Sequence, residues 1–242
     1  MRSRALLLLA VSSAVTACGG SKHPAATAAS PLDAVRSAFH KTIGAGSESL
    51  SLKASGQTAG QAVVVAGRGD FDTRHRRGRL SLHLDAGPLA SSFDEVLLGT
   101  AVYVRSPLLA GRLPAGKSWI KVDLAKLGGV GGLPKSLLAP NPAAELNALR
   151  YLRSATRVGT GRTGTQYHAV LESTKLPRAF RAISGYDVWV GDDGYVHRVQ
   201  IASAPSKLSL TVDLSGFGEK VDAIAPPAAQ VFATTNLPGL GG

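Results

Sequence analysis

Cysteine and methionine are almost missing from this chain of 242 residues, which holds one of each, Cys18 and Met1. One thiol cannot close an intrachain disulfide or build a multi-thiolate metal site. The histidines (His23, His40, His75, His83, His168 and His197) never stand four apart, so no histidine metal site is expected. Aromatic side chains make up only 5% of the chain, which suits an adaptable aliphatic cavity better than a sugar-stacking site. Catalytic signatures are missing too. There is no Gly-x-Ser-x-Gly elbow, no His-Glu-x-x-His and no EF-hand loop, and Gly116-Lys117-Ser118 is not expected to form a nucleotide phosphate loop. Asp70-Phe71-Asp72 and Asp192-Asp193 pair carboxylates, but strand neighbours point to opposite faces and turn neighbours face water. An enzyme is therefore not expected, nor a metal or cofactor.

What is present starts at the N-terminus. Arg2 and Arg4 precede an apolar run from Ala5 to Val15, and Val15-Thr16-Ala17-Cys18 closes it. A basic start, a short apolar stretch and small residues before a cut describe a secretory signal over residues 1–17. The run is about half the length that spans a bilayer. Residues 18–30 are small and polar, a flexible tether. Residues 31–242 then supply about 210 residues, enough for one domain burying roughly 70% of its unfolded surface. Loss of Arg2 and Arg4 lowers the formal charge of +11 by two. For an exported chain, nucleic acid is not an expected partner. Anionic headgroups would attract the surplus of basic residues, which could equally serve as a solvating surface. The dense run Arg74-His75-Arg76-Arg77-Gly78-Arg79 reads as a solvated hairpin end, with a phosphate grip as the alternative.

Ser30-Pro31-Leu32-Asp33 predicts a helix start, with Leu32, Val35, Phe39 and Ile43 along one stripe and Gly44 as its stop. The apolar period then becomes two. Strands are predicted at Leu50–Ala54, Gln61–Asp72, Leu80–Leu84, Phe93–Gly99, Ala101–Arg105, Ser118–Leu124, Tyr167–Glu172, Tyr186–Val190, Val196–Ile201 and Lys207–Leu214. Asp193-Gly194 marks a tight hairpin between two of them. Further helices are predicted after Asn141-Pro142, with Leu146, Leu149 and Leu152 on one side, and around Leu176–Ile183. Trp119 and Trp189 are expected in the core. The segment from Leu124 to Pro140 combines two Gly-Gly pairs with several Leu and Val residues, which reads as a lip over an apolar cavity.

Several phrases, in order, resemble the LppX/LprG-type lipoproteins of mycobacteria and related actinobacteria. They are Gly69-Asp70-Phe71-Asp72, Ala101-Val102-Tyr103-Val104-Arg105, Gly116-Lys117-Ser118-Trp119-Ile120-Lys121-Val122-Asp123, the run Asp187 to Val199, and Asp213-Leu214-Ser215-Gly216-Phe217-Gly218. Val15-Thr16-Ala17-Cys18 resembles a bacterial lipobox, which implies lipid attachment at Cys18. The resemblance spans roughly residues 31–232 and implies a LolA/LolB-like α+β fold. In that fold a strongly curved antiparallel sheet, a half-barrel, carries helices over its concave side around an apolar cavity. It also implies a membrane-anchored carrier of envelope lipids or glycolipids, facing the periplasm or the cell exterior. A monomer is expected, with an export or membrane protein as a partner. The alternative is a lipid-sensing periplasmic regulator that binds a membrane protein. From strand alternation and loop character, the expected cavity residues are Val63, Val65, Leu82, Leu84, Leu97, Val102 and Val104, with Leu127, Val130, Leu133, Leu137 and Leu138 from the lip. Arg105, Arg112 and Lys117 are the expected headgroup contacts.

Overall fold

The computed structural model describes residues 29–58, 60–88, 90–125, 146–175, 185–203 and 208–234. The predicted signal, Cys18 and most of the tether lie outside them. So do the helix around 176–183 and lip residues Leu127, Val130, Leu133, Leu137 and Leu138.

The Ser30 side chain accepts from the Asp33 amide at 3.1 Å and opens helix α1 (Pro31–Ala45). The helix runs past Gly44 and ends at Gly46, whose φ of 80° costs a glycine little. Its buried stripe is Val35, Ala38, Phe39 and Thr42, while Ile43 is exposed. A threonine takes the place expected of Ile43 because both its hydrogen-bonding capacities are met. Its hydroxyl donates to the Ala38 carbonyl at 2.8 Å and accepts from the Val196 amide at 2.9 Å.

Among the described residues, twelve strands follow: β1 (Ser47–Thr58), β2 (Gln61–Asp72), β3 (Arg77–Asp85), β4 (Ser91–Leu98), β5 (Ala101–Arg105), β6 (Trp119–Asp123), β7 (Leu152–Gly161), β8 (Gly164–Leu171), β9 (Tyr186–Val190), β10 (Val196–Ser203), β11 (Leu208–Ser215) and β12 (Val231–Ala233). They form one curved, open sheet in the order β12-β6-β5-β4-β3-β2-β1-β11-β10-β9-β8-β7. All neighbours are antiparallel except β12 and β6. The architecture is α+β, a half-barrel sheet with one α-helix among the described residues.

Two predicted features differ from the structure. The helix start expected at Asn141-Pro142 lies outside the described residues, and the expected end differs: Asn147–Tyr151 form a 3-10 helix that leads directly into β7. At three residues per turn, Leu146, Leu149 and Leu152 still line up on one side, and all three are buried. Of the two tryptophans, Trp119 is buried as expected while Trp189 is only half-buried, and both lie on the sheet's polar face, with Arg105 4.8 Å from the Trp119 ring and Arg198 5.8 Å from that of Trp189. Each arginine covers part of the indole beneath it.

Helix α1 crosses the strands of one half of the sheet. Its N-terminal part meets the β7 edge, where Arg36 donates to the Leu152 carbonyl at 3.2 Å. Its C-terminal part meets the β9–β10 hairpin, where the Lys41 ammonium donates to the Asp193 carbonyl at 2.5 Å and lies 4.5 Å from the centre of the Tyr195 ring. Beneath it, Tyr186, Val188, Val199, Ile201, Leu214 and Leu50 form the main core.

A candidate lipid-binding face on the curved sheet

The register sorts the whole sheet into two chemically distinct faces, since directly paired residues share a face. Leu50, Leu52 and Ala54 of β1 oppose Gly69, Gly67 and Val65 of β2. These in turn oppose Leu80, Leu82 and Leu84 of β3, and the row continues to Glu95, Phe93 and Ser91 of β4. Leu97 then opposes Val102, Glu95 opposes Val104, and Val102 and Val104 oppose Val122 and Ile120. On the other side, Leu50 and Leu52 oppose Leu214 and Val212 of β11. This is the face on which α1 lies.

The seven described cavity candidates (Val63, Val65, Leu82, Leu84, Leu97, Val102 and Val104) therefore lie on one face, spread over four adjacent strands. Val102 is buried, while the other six are half-buried. Among the described residues, α1 packs on the β7–β10 half of this face. Over β6, Leu109, Leu113 and Leu124 pack on Ile120 and Val122. Between these two covers, strands β1 to β5 present a row of half-buried aliphatic side chains. Glycine at Gly67 and Gly69 makes room in this row. A Cβ at Gly67 would overlap the Leu82 side chain, and one at Gly69 the Arg79 carbonyl oxygen. Missing side chains here let neighbouring strands and their leucines fold inward.

The opposite face is polar and ordered by cross-strand ion pairs. Arg79 binds Asp70 at 2.7 Å, Arg105 binds Asp94 at 2.6 Å and His168 meets Asp187 at 3.0 Å; Arg198 pairs with Asp213. At Asp70 the Ser49 hydroxyl leads, joined by Arg79, and together they outweigh burial and hold the carboxyl below its ordinary range. At Asp94 burial opposes ionisation, but hydrogen bonds from Arg105 and Ser81 and the Arg105 charge overcome it and lower the pKa.

Two carboxyls break this division, and alternation alone could have located them. Glu48 and Glu95 stand in the apolar phase of their strands, Glu48 opposite Phe71 and Glu95 between Leu80 and Val104. Glu48 is 4% exposed and its Oε1 has no hydrogen-bond partner. Burial, followed by the charge of Asp72, pushes its pKa to about 7. Burial alone pushes Glu95 to about 8.

The expected headgroup residues are placed differently from one another. A cavity of about 400 Å³ at the end of β4 and β5 is lined by Ser92, Asp94, Arg105, Leu109, Leu113 and Lys117 among others. It brings Arg105 and Lys117 together, and leaves the exposed Arg112 outside its wall. Neither cation is unengaged: Arg105 is bound to Asp94, and the Lys117 ammonium donates to the Ala229 carbonyl at 2.9 Å.

The same segment carries a nucleotide-loop pattern. Gly111 stands at the spacing from Gly116-Lys117-Ser118 that a nucleotide phosphate loop requires. Such a loop must follow a strand and open a helix, so that phosphate meets the helix N-terminus. Here it leads into strand β6, and Lys117 is turned to the chain's own carbonyl. The pattern is present without the structure that gives it function. The basic run between β2 and β3 is a hairpin end, where Arg74 donates to the Gly44 carbonyl and His75 meets Asp72.

Among the described residues, no three His, Cys, Asp or Glu side chains converge to hold a metal, and no helix is long and apolar enough to cross a membrane. No family model and no curated protein matches the chain. Solved structures do align with it. The lipoprotein LppX of Mycobacterium tuberculosis is 15% identical, over 80% of this chain and 97% of its own, with a TM-score of 0.48. LprF of Mycobacterium bovis is 11% identical, over 82% and 99%, with a TM-score of 0.49. A LolA superfamily protein of Nitrosomonas europaea is 9% identical, over 82% and 96%, with a TM-score of 0.31. LppX and the LolA superfamily are the groups that the sequence phrases resemble, and at these identities and TM-scores no function passes from them to this chain.

Proposed function

We propose that this protein is a non-enzymatic lipid carrier of the cell envelope. In this reading, acyl chains of an envelope lipid or glycolipid lie along the concave face of β1–β5, and the protein helps carry them across the envelope. Cys18 would bear the lipid that tethers the single domain to the membrane. The observation that carries the reading is the sorting of side chains by face. Val63, Val65, Leu82, Leu84, Leu97 and Val104 stay half-buried on one side, while charges and ion pairs occupy the other. An aliphatic face that its own core leaves partly uncovered gains from a chain laid on it, about 0.8 kcal/mol for each methylene removed from water. Arg105 and Lys117 would meet a headgroup at the sheet end, Arg105 by exchanging Asp94 for it.

Native mass spectrometry of the full chain purified from an actinobacterial host, before and after organic extraction, tests the reading. An excess mass that extraction removes supports it. A bare mass, with no uptake of added lipid, overturns it. Cys18→Ala should move the folded protein out of the membrane fraction; unchanged retention would exclude acylation at that residue.

A further inference from the structure

Glu95 is a hydrogen-bonding group set where a pure hydrocarbon ligand could not satisfy it. It stands mid-strand on the apolar face, with Leu80 and Val104 opposite it on the flanking strands and Phe93 and Leu97 on either side along its own. Among the described residues, the strands that flank it bring no charge to this face. From β3 come Leu80, Leu82 and Leu84, and from β5 Val102 and Val104. The cations of these strands (Arg77, Arg79 and Arg105) and His83 alternate onto the other face. Glu95 itself makes no hydrogen bond or ion pair among the described residues, and it is half-buried, so it remains reachable from the face.

Resting on the reading of this face as a lipid site, we propose that Glu95 recognises an ester carbonyl of the bound lipid, and that the ligands are acyl esters. A carboxyl with no cation nearby is driven to its neutral form in apolar surroundings. The neutral form offers one O–H donor. An ester carbonyl accepts that hydrogen bond and brings no donor of its own that would need a partner in the groove. A hydrocarbon offers no acceptor, and an ether oxygen crowded between two alkyl groups accepts more weakly than a carbonyl, which makes the contact a discriminator between lipid classes.

The test offers the delipidated full chain an equal mixture of tripalmitoylglycerol and trihexadecylglycerol, which differ in ester against ether linkage and carry no free hydroxyl. The loaded ratio is read by native mass spectrometry. The wild type should prefer the ester by about threefold to tenfold. Glu95→Leu should load both probes equally with total loading maintained, and Glu95→Gln, which keeps a donor, should retain part of the preference. A wild-type ratio of one, or an unchanged preference in Glu95→Leu, would overturn the assignment. Failure of both probes to load would instead remove the lipid reading on which it rests.

Discussion

Asp94 and Glu95 are neighbours in β4 and face opposite sides of the sheet, one bound to Arg105 at 2.6 Å and the other among Leu80, Val104 and Phe93. Their pH behaviour should therefore have opposite signs. The folded pKa of Asp94 is depressed, so its contribution is present at neutral pH and lost as acid protonates it. The pair is half exposed, and Arg105→Ala should cost below about 1 kcal/mol.

Glu95 and Glu48 should make the protein less stable as pH rises. Their folded values, about 8 and about 7, lie above the ordinary 4.5. The folded state thus holds more protons than the unfolded chain from pH 4.5 upward, and stability falls until each folded carboxyl ionises. The fall should level off above pH 8, after a loss on the order of 2–4 kcal/mol from Glu95. Urea midpoints at pH 5 and pH 9 measure it. Glu95→Gln should remove most of the slope, and Glu48→Gln the part below about pH 7. An unchanged slope in both variants would show that neither carboxyl is protonated in the folded protein at neutral pH.

Positions on the apolar face should separate into those that hold the fold and those that hold ligand. Leu80 is 2% exposed in the core, while Leu84, four residues on, is half-buried. A lysine at Leu84 can extend its ammonium into water, so Leu84→Lys should lower lipid loading severalfold with little loss of thermal stability. Leu80→Lys buries a charge and should prevent folding at ambient temperature. Equal effects on stability at both sites would mean that the whole face is core.

Much of the sheet was legible because alternation is a strong signal where one face is apolar. The bounds of β2, β5 and β9 match the predicted runs. Edge strand β7 was not predicted, because Arg153 to Thr160 carries hardly any buried side chain to mark a face. The three-residue β12 is too short to show a period. At the candidate site the cavity residues could be read from period two. The pairing of Arg105 with Asp94 could not, since it depends on which strands are neighbours. Glu95 was visible in Ser-Ser-Phe-Asp-Glu-Val-Leu-Leu as an acid in the apolar phase, but its isolation from every cation needed the register.

Gly69 tests how closely the strands of the apolar face approach. An added Cβ would run into the Arg79 carbonyl oxygen and crowd Leu80 and Phe71. Backbone in mid-sheet cannot move aside as a side-chain tip can, so Gly69→Ala should cost about 2–3 kcal/mol, the range of overpacking. At Gly87, where a Cβ would meet nothing within 4 Å, alanine meets no clash and pays only for a φ of 66°. Chemical denaturation of the two variants compares them. A smaller cost at Gly69 than at Gly87 would mean that the close approach is relieved by strand movement.

Thr42 tests what fixes α1 to the sheet. It is fully buried, and its hydroxyl links the Ala38 carbonyl to the Val196 amide across 154 residues of chain. Valine has almost the same shape and fills the same space, so Thr42→Val isolates the hydrogen bonds from the packing. The Ala38 carbonyl keeps the helix ladder, whereas the Val196 amide loses its partner inside the core, a desolvation cost of about 1–3 kcal/mol. Thr42→Ser restores the bonds and loses one methyl group, and should therefore be the milder change. Amide hydrogen exchange at Val196 reads the effect locally: it should accelerate in the valine variant and stay slow in the serine one. Slow exchange in both would show that the helix is held by Val35, Ala38 and Phe39 alone.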